Sequence, residues 1–252
     1  MSSGKSMRLD ELLVSRGLSA SRSRARDQIL RGCVFLGGAA ETKPARKVAP
    51  DAAVEVRDPA GGYVSRSALK LIAGLDVSGF DVAGCHALDV GASTGGFTQV
   101  LLERGAARSV ALDVGIDQLA DILRNDPRVI VMEGVNARDL EADDLPYAPD
   151  LIVSDVSFIS LRLALPPVLK LAASGARGVF LFKPQFEVGR DGLGKGGIVR
   201  GDADVEGALA AVLDVIRDAG WQIDAVCDAP IAGGDGNRER LIAASASTLP
   251  HA

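Results

Sequence analysis

The spacing of apolar and polar positions along the chain changes character near residue 58. Ahead of that point the apolar residues come in short groups. Leu9, Leu12 and Leu13 recur at helical spacing and predict a helix over 8–16 that Gly17 ends. Ser19 or Ser21 caps a second predicted helix over 22–30, whose apolar positions are Ala25, Ile29 and Leu30 and which stops at Gly32. Strand-like pieces follow at 33–36 and 52–56, with a turn at Gly37-Gly38. The run DPAGGYV at 58–64 is turn-forming and reads as a linker. Beyond it, predicted strands at 87–90, 109–113, 129–133, 151–155, 178–183, 222–229 and 240–244 alternate with helices. The helices are expected from Ser65 as cap through Leu75, and at 97–104, 116–124, 161–173 and 204–219. Such alternation calls for an α/β fold with a doubly wound, mainly parallel seven-stranded sheet. The expected organisation is a flexible tail at 1–6, a small α+β domain at 7–57, a linker at 58–64 and an α/β domain at 65–248.

Composition narrows the setting. With 252 residues, 47% hydrophobic and 24% charged, the chain has the make-up of an ordinary soluble protein with a sizeable core. It lacks a run of eighteen apolar residues, and its start, MSSGKSMRLDELL, has neither a long apolar core nor a small-residue cleavage pattern. Cys33, Cys85 and Cys227 are odd in number and scattered, which reads as buried thiols in a reducing compartment. With His86 and His251 the only histidines, a His/Cys metal cluster is not expected. A cytoplasmic protein with no metal, no membrane span and no obligate protein partner is the expectation. The net charge of −5 hides an asymmetry: residues 1–50 carry ten Lys/Arg against four Asp/Glu, and the rest carry 18 against 29. A basic head on an acidic body suggests that the head meets a polyanion, although a solvated basic surface has the same signature.

The candidate chemistry begins at HALDVGASTGGFTQVLL, residues 86–102. A strand, a glycine turn and a helix start place backbone N–H groups beside a cofactor. The spacing is G-x-x-x-G-G rather than the G-x-G-x-x-G of a pyrophosphate loop, and Asp89 would repel phosphate and attract a cation. A cationic, phosphate-free nucleoside such as S-adenosylmethionine suits Asp89 and the turn Gly91, Ala92, Ser93, Thr94, Gly95 and Gly96; a tight turn that binds nothing is the competing reading. Ligands of such folds lie past the carboxyl ends of the strands, where Asp89, Asp113, Asp155 and Lys183 fall. Asp113, 22 residues beyond Gly91, is placed to accept both ribose hydroxyls, and Asn136, with Ala137 beside it, to meet the adenine edge. This combination resembles a class I, Rossmann-like S-adenosylmethionine-dependent methyltransferase.

The acceptor atom is the next question. Amine methylation typically uses an Asn/Asp-Pro-Pro-aromatic tetrad where this chain has Asp155-Val156-Ser157-Phe158, and pyrimidine carbon methylation needs a cysteine that is not at this mouth. A hydroxyl acceptor needs a base and nearby cations. Lysine serves as a base where burial and neighbouring positive charge favour its neutral form. Lys183 lies opposite Asp155, Lys70 can bring a second positive charge, and Glu239 can orient the amines. Taken singly, Lys70 reads as a solvated lysine and Glu239 as a surface partner of Arg238 or Arg240.

The words VSRSALKL (64–71), LDVGASTGGFT (88–98), SDVSFISL (154–161), LFKPQFEVGR (181–190), GKGGIVR (194–200) and GNRERLI (236–242) resemble the FtsJ-like ribose 2′-O-methyltransferases. Among these the resemblance is to the TlyA family of hemolysin-like rRNA methyltransferases, over residues 7–245. It implies a catalytic tetrad of Lys70, Asp155, Lys183 and Glu239, and methylation of a cytidine ribose in ribosomal RNA within ribosomal subunits. The first region resembles the small RNA-binding domain shared by a small-subunit ribosomal protein, pseudouridine synthases and tyrosyl-tRNA synthetases. That resemblance places Arg22, Arg24, Arg26 and Arg31, with Lys43, Arg46 and Lys47, on the RNA backbone, where such contacts give affinity without sequence choice. Arg190, Lys195 and Arg200, in the glycine-rich stretch 184–201, read either as a floppy loop or as a lid that grips RNA. Three rivals stand beside this reading: an RNA-binding protein with an inactive methyltransferase fold, a nucleotide-dependent dehydrogenase, which the glycine spacing disfavours, and a membrane-lytic protein, for which no inserting stretch is found.

Overall fold

A computed structural model describes residues 6–247, so residues 1–5 of the expected tail at 1–6, position 248 and His251 lie outside the described residues. The chain divides between Gly62 and Tyr63 into two compact units.

The first unit runs β1 (Met7–Arg8), α1 (Leu9–Ser15), α2 (Arg22–Leu30), β2 (Val34–Leu36), β3 (Ala39–Glu41), β4 (Lys47–Val48) and β5 (Val54–Val56). Leu9, Leu12 and Leu13 of α1 pack with Ala25 and Ile29 of α2 and with Val34 and Val48, one apolar stripe per helix closing on the strands. Of the two expected caps Ser21 starts α2, its hydroxyl accepting from the Arg24 N–H at 3.2 Å. The antiparallel sheet β3-β2-β5 and the pair β1-β4 complete the unit. Strands β1, β3 and β4, of two or three residues, are too short to show alternation in the sequence and go beyond what it predicts.

The second unit begins with α3 (Ala68–Ser78) and continues β6 (His86–Val90), α4 (Gly96–Glu103), β7 (Arg108–Asp113), α5 (Asp121–Arg124), β8 (Val129–Glu133), β9 (Leu151–Ser154), α6 (Leu161–Leu169), β10 (Arg177–Phe182), α7 (Val205–Asp218), β11 (Trp221–Asp228) and β12 (Arg240–Ala246). The sheet order is β11-β12-β10-β9-β6-β7-β8; β12 is antiparallel to both its neighbours and the remaining pairs are parallel. Both faces are covered, and the alternation along β10 divides the core. Val179 and Leu181 pack with α3 and α4, and Phe180 and Phe182 with α6 and α7. The strand order reverses between β6 and β9, which opens a crevice beyond their carboxyl ends.

Three expected helices are corrected. The one at 116–124 shrinks to the single turn α5, because the Glu133 carboxylate accepts the backbone N–H groups of Asp117, Gln118 and Leu119 at 2.9–3.0 Å and replaces the helical ladder. Together with Arg124 these donors draw the Glu133 carboxyl down to about 2. The one at 161–173 ends at Leu169, with Pro166 and Pro167 removing two ladder donors. The helix expected to be capped by Ser65 is capped two residues later, at Ser67, since the Ser65 hydroxyl takes up the Ser67 N–H and hydroxyl in a preceding turn.

Candidate active site

Gly91 occupies the crevice. Its φ of +84° is open to glycine, and a β-carbon there would sit 2.9 Å from the Asp155 carbonyl oxygen. The Gly91 and Ala92 N–H groups donate to the Leu112 carbonyl of β7, and the Asp155 N–H donates to the Val90 carbonyl of β6 at 3.0 Å. These bonds hold Asp113 and Asp155 on either side of the turn. Asp113 accepts the Ser93 N–H at 2.8 Å and the Gly115 N–H at 2.7 Å, so its carboxylate braces the loop. Asn136 caps a short 3₁₀ turn by accepting the Arg138 N–H.

A cleft of about 860 Å³ runs along these strand ends, lined among others by Gly91, Ser93, Asp113, Asn136, Ala137 and Asp155. Beside it lies a small pocket of about 130 Å³ walled by Ser65, Ser67, Ala92, Thr94, Ser157 and Lys183. A third pocket, about 240 Å³, brings Lys70, Asp155, Lys183 and Glu239 to one wall. Asp155 and Ser157 line all three.

The four expected catalytic side chains come together as two ion pairs. Lys183 lies 2.6 Å from Asp155 and donates to the Ser157 hydroxyl at 2.8 Å. Lys70, from α3, pairs with Glu239, from the approach to β12; both are buried. The surface reading of Lys70 and Glu239 is thereby corrected: each is less than a tenth exposed. Burying a lone ammonium or carboxylate is costly, so each of these groups requires its partner.

Other expected residues are not at the cavity walls. Asp89 is fully buried behind the turn, where burial first, and then the Asp155 charge, push its carboxyl up to about 7 against the hydrogen bond from Thr98 (2.7 Å). It does not present an open carboxylate to the cleft. Gly95 and Gly96 do not line the three cavities; β-carbons on them would meet Leu119 and Leu123, and Ser65 and Ser67, so they serve packing of the helix start.

Of the expected RNA contacts, Arg31 is corrected. Its guanidinium is mostly buried and bonded to Asp27 and to both oxygens of Asp58, which raise its pKa although burial acts the other way. Arg24 donates to the Ala60 carbonyl at 2.7 Å, Arg22 pairs with Asp10 and Glu11, and Arg46 with Glu41. Arg26, Lys43 and Lys47 are exposed on the same unit. On the second unit Arg190 and Lys195 are exposed, and Arg200 pairs with Asp202 at 3.0 Å. The stretch 184–201 folds into three short 3₁₀ turns and a bridge between Leu193 and Val199.

Sequence reasoning missed Ser157, Ser65, Ser67 and the aromatic pair Phe158–Phe186, whose ring centroids lie 5.3 Å apart on the wall of the large cleft. Phe158 is 92% exposed with φ +64°, strained backbone for an aromatic residue. Its neighbours SDVSFIS are visible in the sequence; its left-handed conformation is not.

Residues 63–246 match the FtsJ-like methyltransferase family and residues 7–54 match the S4 domain. The 16S/23S rRNA (cytidine-2′-O)-methyltransferase TlyA of Mycobacterium tuberculosis is 45% identical over 93% of this chain and 88% of its own. Hemolysin A of Brachyspira hyodysenteriae is 43% identical over 93% and 98%. A solved structure from Streptococcus thermophilus, described as a hemolysin, has a TM-score of 0.75 and 38% identity, covering 97% of this chain and 90% of that one. No helix among the described residues is long and apolar enough to cross a membrane.

Proposed function

Because the chain belongs to the FtsJ-like methyltransferase family, in its TlyA branch with an S4 domain ahead, we propose that it methylates the ribose 2′-hydroxyl of a cytidine in ribosomal RNA. The methyl donor is S-adenosylmethionine, which supplies an electrophilic methyl group on a sulfonium. The donor set of the large cleft fits it: Asp113 for vicinal hydroxyls, Asn136 for the adenine edge, Asp155 for positive charge, and a turn whose glycine admits close approach. The hydroxyl-lined pocket of Ser65, Ser67 and Thr94 suits the amino-acid end.

One observation carries the reading. The pocket holding Lys70, Asp155, Lys183 and Glu239 shares Asp155 and Ser157 with the cofactor cleft, so an acceptor and a donor meet there. Lys183, positioned by Asp155 and Ser157, first gives up its own proton to solvent and then, as the neutral amine, takes the proton of the 2′-hydroxyl. Lys70, held by Glu239, adds positive charge where the oxygen becomes anionic. The S4 unit and Arg190, Lys195 and Arg200 supply phosphate contacts, and Phe158 with Phe186 offers a base a stacking surface.

The test replaces Lys183 by Ala and follows methyl transfer to ribosomal subunits, reading sites by alkaline hydrolysis. A methylated 2′-oxygen cannot attack its neighbouring phosphate, so each modified ribose shows as a missing cleavage. The expected result is a loss of about 10²–10⁴ in rate at saturating cofactor. Undiminished transfer by Lys183→Ala would remove Lys183 from the role, and uniform cleavage with the unaltered protein would end the 2′-O reading.

A further inference from the structure

The loop between β11 and β12 carries a buried amide that the chemistry above does not use. Asn237 is only 4% exposed. Its Oδ1 accepts the Val199 N–H at 2.8 Å, and its Nδ2 donates to the Gly197 carbonyl at 2.9 Å and to Asp235 Oδ2 at 2.8 Å. Val199 and Gly197 belong to a small basic hairpin. Leu193 and Val199 bridge in antiparallel fashion, the Gly194 N–H donates to Ile198 at 2.7 Å, and the Arg200 N–H donates to Gly192 at 2.9 Å. Lys195 stands at its tip, where Gly196 and Gly197 have positive φ, and Arg200 at its base. Two residues beyond Asn237, Glu239 holds Lys70, and Gly234, Asp235 and Glu239 line the acceptor pocket. A single short loop therefore grips both the basic hairpin and the Lys70–Glu239 pair.

We propose that Asn237 is a positioning residue that fixes the basic hairpin beside the acceptor pocket, so that the RNA phosphates the hairpin engages bring the 2′-hydroxyl to Lys183. The proposal rests on the function given above. Few side chains could replace the amide. It must accept one backbone hydrogen bond and donate two others from a short planar group. Val199 can only donate and the Gly197 carbonyl can only accept, so the orientation of the amide is set by its partners. An aspartate has the same shape but no donor, and would face the Gly197 carbonyl and the Asp235 carboxylate with like charge.

The experiment compares the full chain with Asn237→Asp and Asn237→Ala, each alone and in a Lys195→Ala/Arg200→Ala background. Five quantities are read: exchange of the Val199 amide, KM and kcat on ribosomal RNA, the salt dependence of RNA binding, and the S-adenosylmethionine dissociation constant. Loss of two or three buried hydrogen bonds speeds Val199 exchange and raises KM by about tenfold or more, with kcat at saturating RNA held within about twofold. The slope of log affinity against log salt falls by about 0.7–0.9 for each RNA phosphate that the hairpin no longer neutralises. Once the hairpin cations are removed, the Asn237 change adds little, because both alterations act on the same phosphates. An unchanged cofactor dissociation constant reports that the second unit remains folded. Full additivity overturns the proposal, as does a fall in kcat with KM and salt slope unchanged, since Asn237 would then serve Glu239 alone. Val199 exchange and the salt slope need no methyl transfer, so they test the hairpin's role even if the 2′-O assignment fails.

Discussion

Replacing Gly91 by Ala tests whether the turn between β6 and α4 is set by contact with the strand that carries Asp155. Gly91 has φ +84°, and an added β-carbon would lie 2.9 Å from the Asp155 carbonyl oxygen and 3.1 Å from both the Asp155 carbonyl carbon and Val156 Cα. All three are backbone atoms, so no side chain can rotate out of the way. Holding an alanine in the left-handed region costs about 1–2 kcal/mol. Crowding a packed interior adds about 1–3 kcal/mol, for a total of about 2–5 kcal/mol. At about 2–4 °C per kcal/mol for a unit of this size, the melting temperature falls by roughly 4–20 °C. Gly84→Ala separates the two contributions, because Gly84 also has positive φ (+76°) but meets nothing within 4 Å of an added β-carbon. Gly84→Ala should show only the conformational part and retain cofactor affinity. Gly91→Ala should lose more stability and, because the turn and Asp155 both wall the cleft, bind S-adenosylmethionine at least about tenfold more weakly. Thermal unfolding and calorimetric titration measure both. If Gly91→Ala melts with Gly84→Ala and titrates like the unaltered protein, the contact with Asp155 does not set the turn.

Three other outcomes follow from named side chains. The buried Asp89 carboxyl, raised to about 7, is protonated in the native state where the unfolded chain, at about 3.9, is ionised, so its contribution to stability is full below about pH 4 and lost as pH rises to about 7, by at most about 1.4 kcal/mol per unit; urea midpoints of Asp89→Asn should lack that fall, and parallel profiles would refute it. Arg31→Ala should destabilise the first unit by about 3–5 kcal/mol by leaving buried Asp58 unpaired, whereas the exposed Arg26→Ala should stay within about 0.5 kcal/mol and weaken RNA binding with a smaller salt slope; equal stability of the two variants would return Arg31 to the RNA surface. Phe158→Ala removes an almost wholly exposed ring, so stability should move by less than about 0.5 kcal/mol while RNA affinity falls by the equivalent of about 1–3 kcal/mol of stacking; unaltered RNA affinity would end the stacking role.

Much of the second unit is legible in the sequence because its signals are local. The strand at 87–90, the turn through Gly91 and the strand-end acids Asp113 and Asp155 follow from short apolar runs and from where glycine is needed. The stretch 116–124 reads as a helix because its spacing is helical, yet it folds otherwise. Glu133, from β8, supplies carboxylate acceptors to its backbone that sequence spacing does not reveal. Arg31 departs from its sequence reading for a related reason. Its charge points to RNA, but Asp58, 27 positions away, and Asp27 bury and neutralise it.

By itself, the sequence determined the strands of the second unit and most of its helices, that the sheet would be mainly parallel, and where the ends of its strands would lie. These follow from side-chain periodicity and backbone preferences within a few residues. Only the tertiary structure decided which charges face each other. Lys70 and Glu239 lie 169 positions apart, and their pairing depends on α3 packing against the sheet that contains β12. The same packing buries Asp89 behind the turn rather than leaving it in the cleft. Burial and partner choice depend on distance through space and on exclusion of water, which linear spacing does not encode.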